Sequence, residues 1–97
     1  MGADMAQNTD IDLPIGVWTL LSNADITAIT FQNKSFNYIL VKGTVGAVAP
    51  TDDGGAIRYN AGQGERKVLL ADVFLGVAAT RVYAYAPTGG NVMVSHA

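Results

Sequence analysis

The stretch that most limits what this chain folds into is residues 81–97. Arg81-Val82-Tyr83-Ala84-Tyr85-Ala86 and Asn91-Val92-Met93-Val94-Ser95-His96-Ala97 both alternate in side-chain type. Pro87-Thr88-Gly89-Gly90 joins them, a four-residue link with two glycines. Period-two alternation on both sides of a glycine-containing link predicts a β-hairpin. Strands this apolar need a partner or burial, so the C-terminal residues are expected to be tied into a sheet.

The rest of the chain repeats the theme. Ile11-Asp12-Leu13 alternates until Pro14, which cannot donate to a ladder and marks an edge strand or strand entrance. Residues 16–21 form a second short strand, and Ser22-Asn23-Ala24-Asp25 is a turn cluster. A strand follows over residues 26–33, with Ile29 and Phe31 on one face. Residues 36–44 form the next, apolar on both faces, as in a central strand or one with a face at an interface. Residues 45–50 read as extended, and Asp52-Asp53-Gly54-Gly55 as a turn suited to positive φ. Short strands over 56–59 and 65–70 flank the glycine turn Asn60-Ala61-Gly62-Gln63-Gly64. Residues 71–76 are expected to make a helical turn or an irregular corner, and residues 70–74 fit one amphipathic turn, too short to stand alone as a helix.

Strands at this spacing, punctuated by Gly, Pro, Asn and Asp, predict an all-β fold: a small antiparallel β-sandwich or partly open barrel. With 97 residues there is room for one domain. We expect an extended, flexible N-terminal arm over residues 1–10 and a single β domain over 11–97. The arm either stays disordered or orders against a neighbouring subunit.

Only 14% of residues are charged and about half are apolar. A small domain with so little charge either covers part of its surface with a partner or clothes it in Thr, Asn, Gln, Ser and Gly. The net charge of −2, without a basic patch, argues against phosphate-driven nucleic-acid binding. The absence of cysteine removes disulfides and thiolate metal sites. The first ten residues lack the basic and apolar regions of a signal peptide, and no apolar run is long enough for a membrane helix, so a soluble chain made in a cytoplasm is expected.

Catalytic chemistry needs nucleophilic or titratable groups that converge. His96 is the single histidine and reads as a partly exposed strand-end residue. One histidine without cysteine does not anchor a usual zinc site. Asp52-Asp53-Gly54-Gly55 lacks the alternating ligands and closing Glu of a calcium loop. Gly62-Gln63-Gly64-Glu65-Arg66 precedes a strand, so no helix N-terminus would receive a phosphate. No enzyme is expected, and no catalytic, cofactor or metal site is assigned. Tyr83 and Tyr85 lie opposite Val82, Ala84 and Ala86. Either the small residues pack inward and the tyrosines with Arg81 face out, as suits an interface, or the tyrosines fill the core. Trp18 has the same two readings, with the core preferred.

Several segments occur in a recurring order. They are Ile26-Thr27-Ala28-Ile29-Thr30-Phe31-Gln32-Asn33, Tyr38-Ile39-Leu40-Val41-Lys42-Gly43-Thr44, Ala49-Pro50-Thr51-Asp52-Asp53-Gly54-Gly55 and Tyr59-Asn60-Ala61-Gly62-Gln63-Gly64-Glu65, followed by residues 80–86 and 92–97. This order resembles small β-sandwich virion structural proteins of tailed bacteriophages, of the capsid decoration, cement or head-spike type. The resemblance implies a capsid decoration or cement subunit that binds and stabilises the capsid lattice. Its partners would be the major capsid protein and copies of itself, with a trimer as one arrangement, and its place the capsid surface of the virion. It carries over no catalytic residue and no cofactor, and it implies no nucleic-acid or membrane partner. Met5, Ile11, Leu13, Arg81, Tyr83 and Tyr85 are the expected interface residues. The other readings are a tail, baseplate or fibre-base module, or a carbohydrate-binding β-sandwich, since aromatics near Asn and Asp suit sugars.

Overall fold

Alternation of inward and outward side chains builds eight strands in the computed structural model, which describes residues 6–97. They are β1 (Gln7–Leu13), β2 (Thr19–Leu20), β3 (Ala28–Asn33), β4 (Ile39–Thr44), β5 (Ile57–Tyr59), β6 (Gly64–Leu69), β7 (Arg81–Tyr85) and β8 (Gly90–His96). A single helical turn, α1 (Leu70–Val73), follows β6. One sheet has the order β1-β8-β3-β6 and the other β2-β7-β4-β5, with antiparallel pairing throughout. The fold is therefore the all-β, antiparallel sandwich expected from the sequence.

The strand order has a simple origin. β1 pairs with β8, β2 with β7, β3 with β6 and β4 with β5. The chain is one long hairpin about the β4–β5 link, rolled so that β3 meets β8 and β4 meets β7. This is the jelly roll, an arrangement found in viral capsid and lectin domains alike.

That topology overturns one expectation. β7 and β8 do not form a hairpin; they lie in opposite sheets. Packed sheets stand about 10 Å apart, and a four-residue link spans that gap. The Gly89 N–H donates to Ala86 O at 3.1 Å, and Ala86 O also accepts from the Gly16 N–H at 3.0 Å. The start of β8 is claimed by the β3–β4 link instead of by β7. Ser35 Oγ accepts from the Asn91 N–H at 3.0 Å and donates to Asn91 O at 3.1 Å. A side-chain carbon at Gly90 would collide with Ser35, so only glycine allows this approach.

Between the sheets lie Ile29, Phe31, Ile39, Val41, Val82, Ala84, Val92 and Val94, all buried, with Leu13 and Leu21 closing the sides. Phe31 and Tyr59 meet edge to face, with ring centroids 5.0 Å apart. α1 carries Leu70 inward, and the Phe74 ring lies so close over Gly43 that a Cβ there would stand 2.5 Å from it. Asn33 is fully buried and organises one end of the sandwich. Its Nδ2 donates to Asn37 O at 2.9 Å and to Tyr59 O at 3.1 Å, and its Oδ1 accepts from the Ser35 N–H at 2.8 Å. With all three partners in place, this buried amide ties the β3–β4 link to the end of β5.

The boundary of the N-terminal arm also moves. Residues 7–10 belong to β1, paired Gln7↔His96 through Asp10↔Met93. The expected arm over 1–10 is thus strand from Gln7 on, because β8 offers it a ladder. His96, expected to be partly exposed, is buried at 8% exposure. Its Nε2 lies 3.0 Å from Gln7 Oε1, while Gln7 Nε2 donates to Leu21 O at 2.9 Å. The Asn23 N–H also donates to Gln7 Oε1, at 3.0 Å, so the histidine supplies the proton of its own contact through Nε2.

Candidate interaction surfaces

In an antiparallel ladder, directly opposed residues share a face. Val41 opposes Ala84, and both are core residues; the flanking pairs Leu40↔Tyr85 and Lys42↔Tyr83 therefore point outward. Leu20 opposes Tyr83 from the other side. The outer face of the β2-β7-β4-β5 sheet thus gathers Trp18, Leu20, Leu40, Tyr83 and Tyr85. The small-residue face of β7 packs inward, so both tyrosines point away from the core between the sheets.

Outward does not mean exposed. Tyr83 retains only 5% exposure. Leu20 and Lys42 flank it, and the Lys42 ammonium bonds Asp52 Oδ1 at 3.2 Å and Asp52 O at 3.3 Å. That contact draws residues 51–53 of the β4–β5 link back against this face. The Asp52 carboxyl is held below the usual carboxylate range, first by the Lys42 hydrogen bond and then by the Gly54 N–H at 3.2 Å. Trp18, expected in the core, lies on this face with its ring 5.2 Å from that of Tyr85, tilted by 44°. At the sheet's edge the Arg58 guanidinium sits 3.9 Å over the Tyr38 ring.

The sequence-derived interface residues therefore separate. Tyr85 is half-buried against Trp18. Arg81 is half-buried, with its Nε 2.8 Å from Asp25 Oδ1. Ile11 packs on the margin of the core. Leu13 is a correction: at 3% exposure it is a core residue, because its side chain points to the inner face of the β1-β8-β3-β6 sheet. Tyr83 is a second correction, since its ring is already covered within the chain. Met5 lies outside the described residues.

Sequence reasoning missed the apolar ends. Ile15 (72% exposed) and Phe36 (101%) stand at one end, on links β1–β2 and β3–β4. Ile15 neighbours Gly89, and Asn37 Nδ2 donates to Thr88 Oγ1 at 3.0 Å, so both links border the β7–β8 crossing. At the opposite end lie Val45, Val48, Leu75 (84%) and Val77, all exposed. Their links are joined by the Gly46 N–H to Thr80 Oγ1 at 2.8 Å and the Thr80 N–H to Thr44 O at 2.8 Å. The signal was present in the sequence as apolar residues inside turn-rich segments, where burial by a strand ladder is not on offer.

A cleft of about 390 Å³ opens between Gly16, Trp18, Tyr85 and Thr51-Asp52-Asp53. Among the described residues no three His, Asp or Glu side chains come together as a metal site, and no helix is long and apolar enough to cross a membrane. Glu65 accepts from the buried Tyr59 hydroxyl at 3.0 Å, and burial, then this carboxylate, pushes the phenol's pKa up. Compared with family models, with curated proteins and with solved structures, the chain matches none.

Proposed function

We propose that this chain is a structural subunit of a virion, a decoration or cement protein that seats on the capsid surface beside copies of itself. The observation that carries the reading is the pair of apolar ends. Ile15 and Phe36 at one end and Leu75 with its valine neighbours at the other are exposed on a small, weakly charged sandwich. Apolar groups clustered at two poles of one body suit contacts to two neighbours at once. Such contacts are individually modest, and many copies on a lattice make them strong together. A closed ring of copies would repeat one heterologous interface. The jelly roll is compatible with this role and with many others, so the surface, and not the fold, supports the reading.

The direct experiment is cryo-microscopy of the parent virion, in which the reading requires density for this chain on the head. In solution, sedimentation velocity should show concentration-dependent association. Phe36→Ser combined with Leu75→Ser should abolish it while leaving the unfolding midpoint nearly unchanged. A virion head without such density would overturn the assignment.

A further inference from the structure

We propose that the cleft between Trp18, Tyr85 and residues 51–53 is a saccharide-binding site. The proposal stands apart from the assembly role, because none of these residues belongs to the apolar ends.

The cleft's volume of about 390 Å³ falls at the lower end of the roughly 300–1,000 Å³ typical of small-molecule sites. Its walls divide by chemistry. Trp18 and Tyr85 form one aromatic corner, tilted by 44°, that offers flat apolar surface with few rotatable bonds. Facing it, Asp52 and Asp53 supply acceptors and the Tyr85 and Thr51 hydroxyls supply donors. Asp52 uses Oδ1 for Lys42 and the Gly54 N–H, which leaves Oδ2 without a partner among the described residues. The Asp53 carboxylate and the Tyr85 hydroxyl are likewise unpaired among them. Gly16 borders the cleft with φ +67, a left-handed backbone that favours glycine, and a side-chain carbon there would stand 3.6 Å from the Tyr85 hydroxyl.

Each ligand class meets this set differently. Lys42 offsets the charge of Asp52, and the Asp53 carboxylate, which has no cation beside it among the described residues, disfavours phosphate and carboxylate ligands. A purely apolar ligand would leave those carboxylates desolvated without compensation. A pyranose ring carries an apolar C–H face and a rim of hydroxyls that both donate and accept. It matches an aromatic corner set against mixed polar groups. An organic cation is the competing chemistry, through the aromatic faces and the same carboxylates.

Trp18 is the chain's single tryptophan, so its fluorescence reports on this cleft alone. The full chain should be screened on an array of immobilised oligosaccharides. The retained structures, together with chitotriose and maltotriose, should then be titrated in solution against Trp18 emission. Saturable change with at least one oligosaccharide is expected. Asp53→Asn should weaken it about tenfold, the loss of one charge-assisted hydrogen bond. Tyr85→Phe, which keeps the ring and so the fold, should weaken it by a smaller factor. An empty array with silent titrations overturns the proposal. So does equal affinity in both variants, or a response to tetramethylammonium or arginine with none to sugars. Failure of the capsid assignment leaves every one of these readouts in place.

Discussion

The two sheets obey one rule inside and differ outside in where their aromatic rings lie. Both turn Val, Ile, Phe and Ala toward the shared core. The outer face of β1-β8-β3-β6 is mostly polar, with Asn8, Asp10, Asp12, Thr30, Gln32 and Ser95 set around Met93 and with Ala28 and Leu69 at the β6 side. The outer face of β2-β7-β4-β5 carries Trp18, Leu20, Leu40, Tyr83 and Tyr85 beside Lys42, Arg58 and Arg81, roofed in part by residues 51–53. Core packing demands nothing of either outer face. The difference therefore marks where the molecule spends apolar area on something other than holding its sheets together, and that is the face with the cleft.

The contrast can be broken by substitution. The largest effect belongs to Tyr83→Ala, which removes a buried ring from the roofed face. A loss of about 3–5 kcal/mol is expected, as for other buried aromatics, read from the urea midpoint. A loss below that of a surface change would mean that the roof does not pack. Next comes Tyr85→Ala, which frees Trp18 from its aromatic neighbour at a cost of about 1 kcal/mol. It should also shift Trp18 emission to the red. Acid gives the third test. The folded Asp52 pKa lies below its ordinary 3.8, so its contribution is present above that value and fades as pH falls through the folded one. Trp18 emission should therefore change below pH 3.8 before the far-ultraviolet dichroism does. Simultaneous loss of both signals would show that the roof is not a separate unit. The smallest effect is on the polar face, where Ser95→Ala should stay within about 0.5 kcal/mol of wild type. A cost comparable to that of Tyr83→Ala would erase the distinction between the faces.

Local structure was readable from residue pattern because it depends on local chemistry. Alternation placed β3, β7 and β8, and Gly55 and Gly62 adopt the positive φ that their turns require. The helical turn at 70–73 follows from Leu70 and Phe74 sharing one side. Partner choice was not readable. A strand whose small residues face a core looks the same whether its neighbour in sequence pairs beside it or packs opposite, so the β7–β8 crossing imitated a hairpin. The deciding groups, Ser35 against Gly90 and Asn91, lie more than fifty positions apart. The cleft was half legible: tyrosines opposite small residues were visible, but Trp18 and Asp52 reach them through β2 pairing and the Lys42 contact.

The mirrored pairing also sets an order of birth. Among the described residues β1 leaves the ribosome before the other strands, and its ladder partner β8 leaves after them. β8 stands between β1 and β3, so the sheet they share lacks its middle until β8 has been made. During synthesis β1 waits as an unpaired, mostly polar segment, while β4 and β5 pair early. Cotranslational folding should therefore begin in the middle of the chain and spread outward, and a ribosome stalled short of β8 would carry a sandwich with one sheet open.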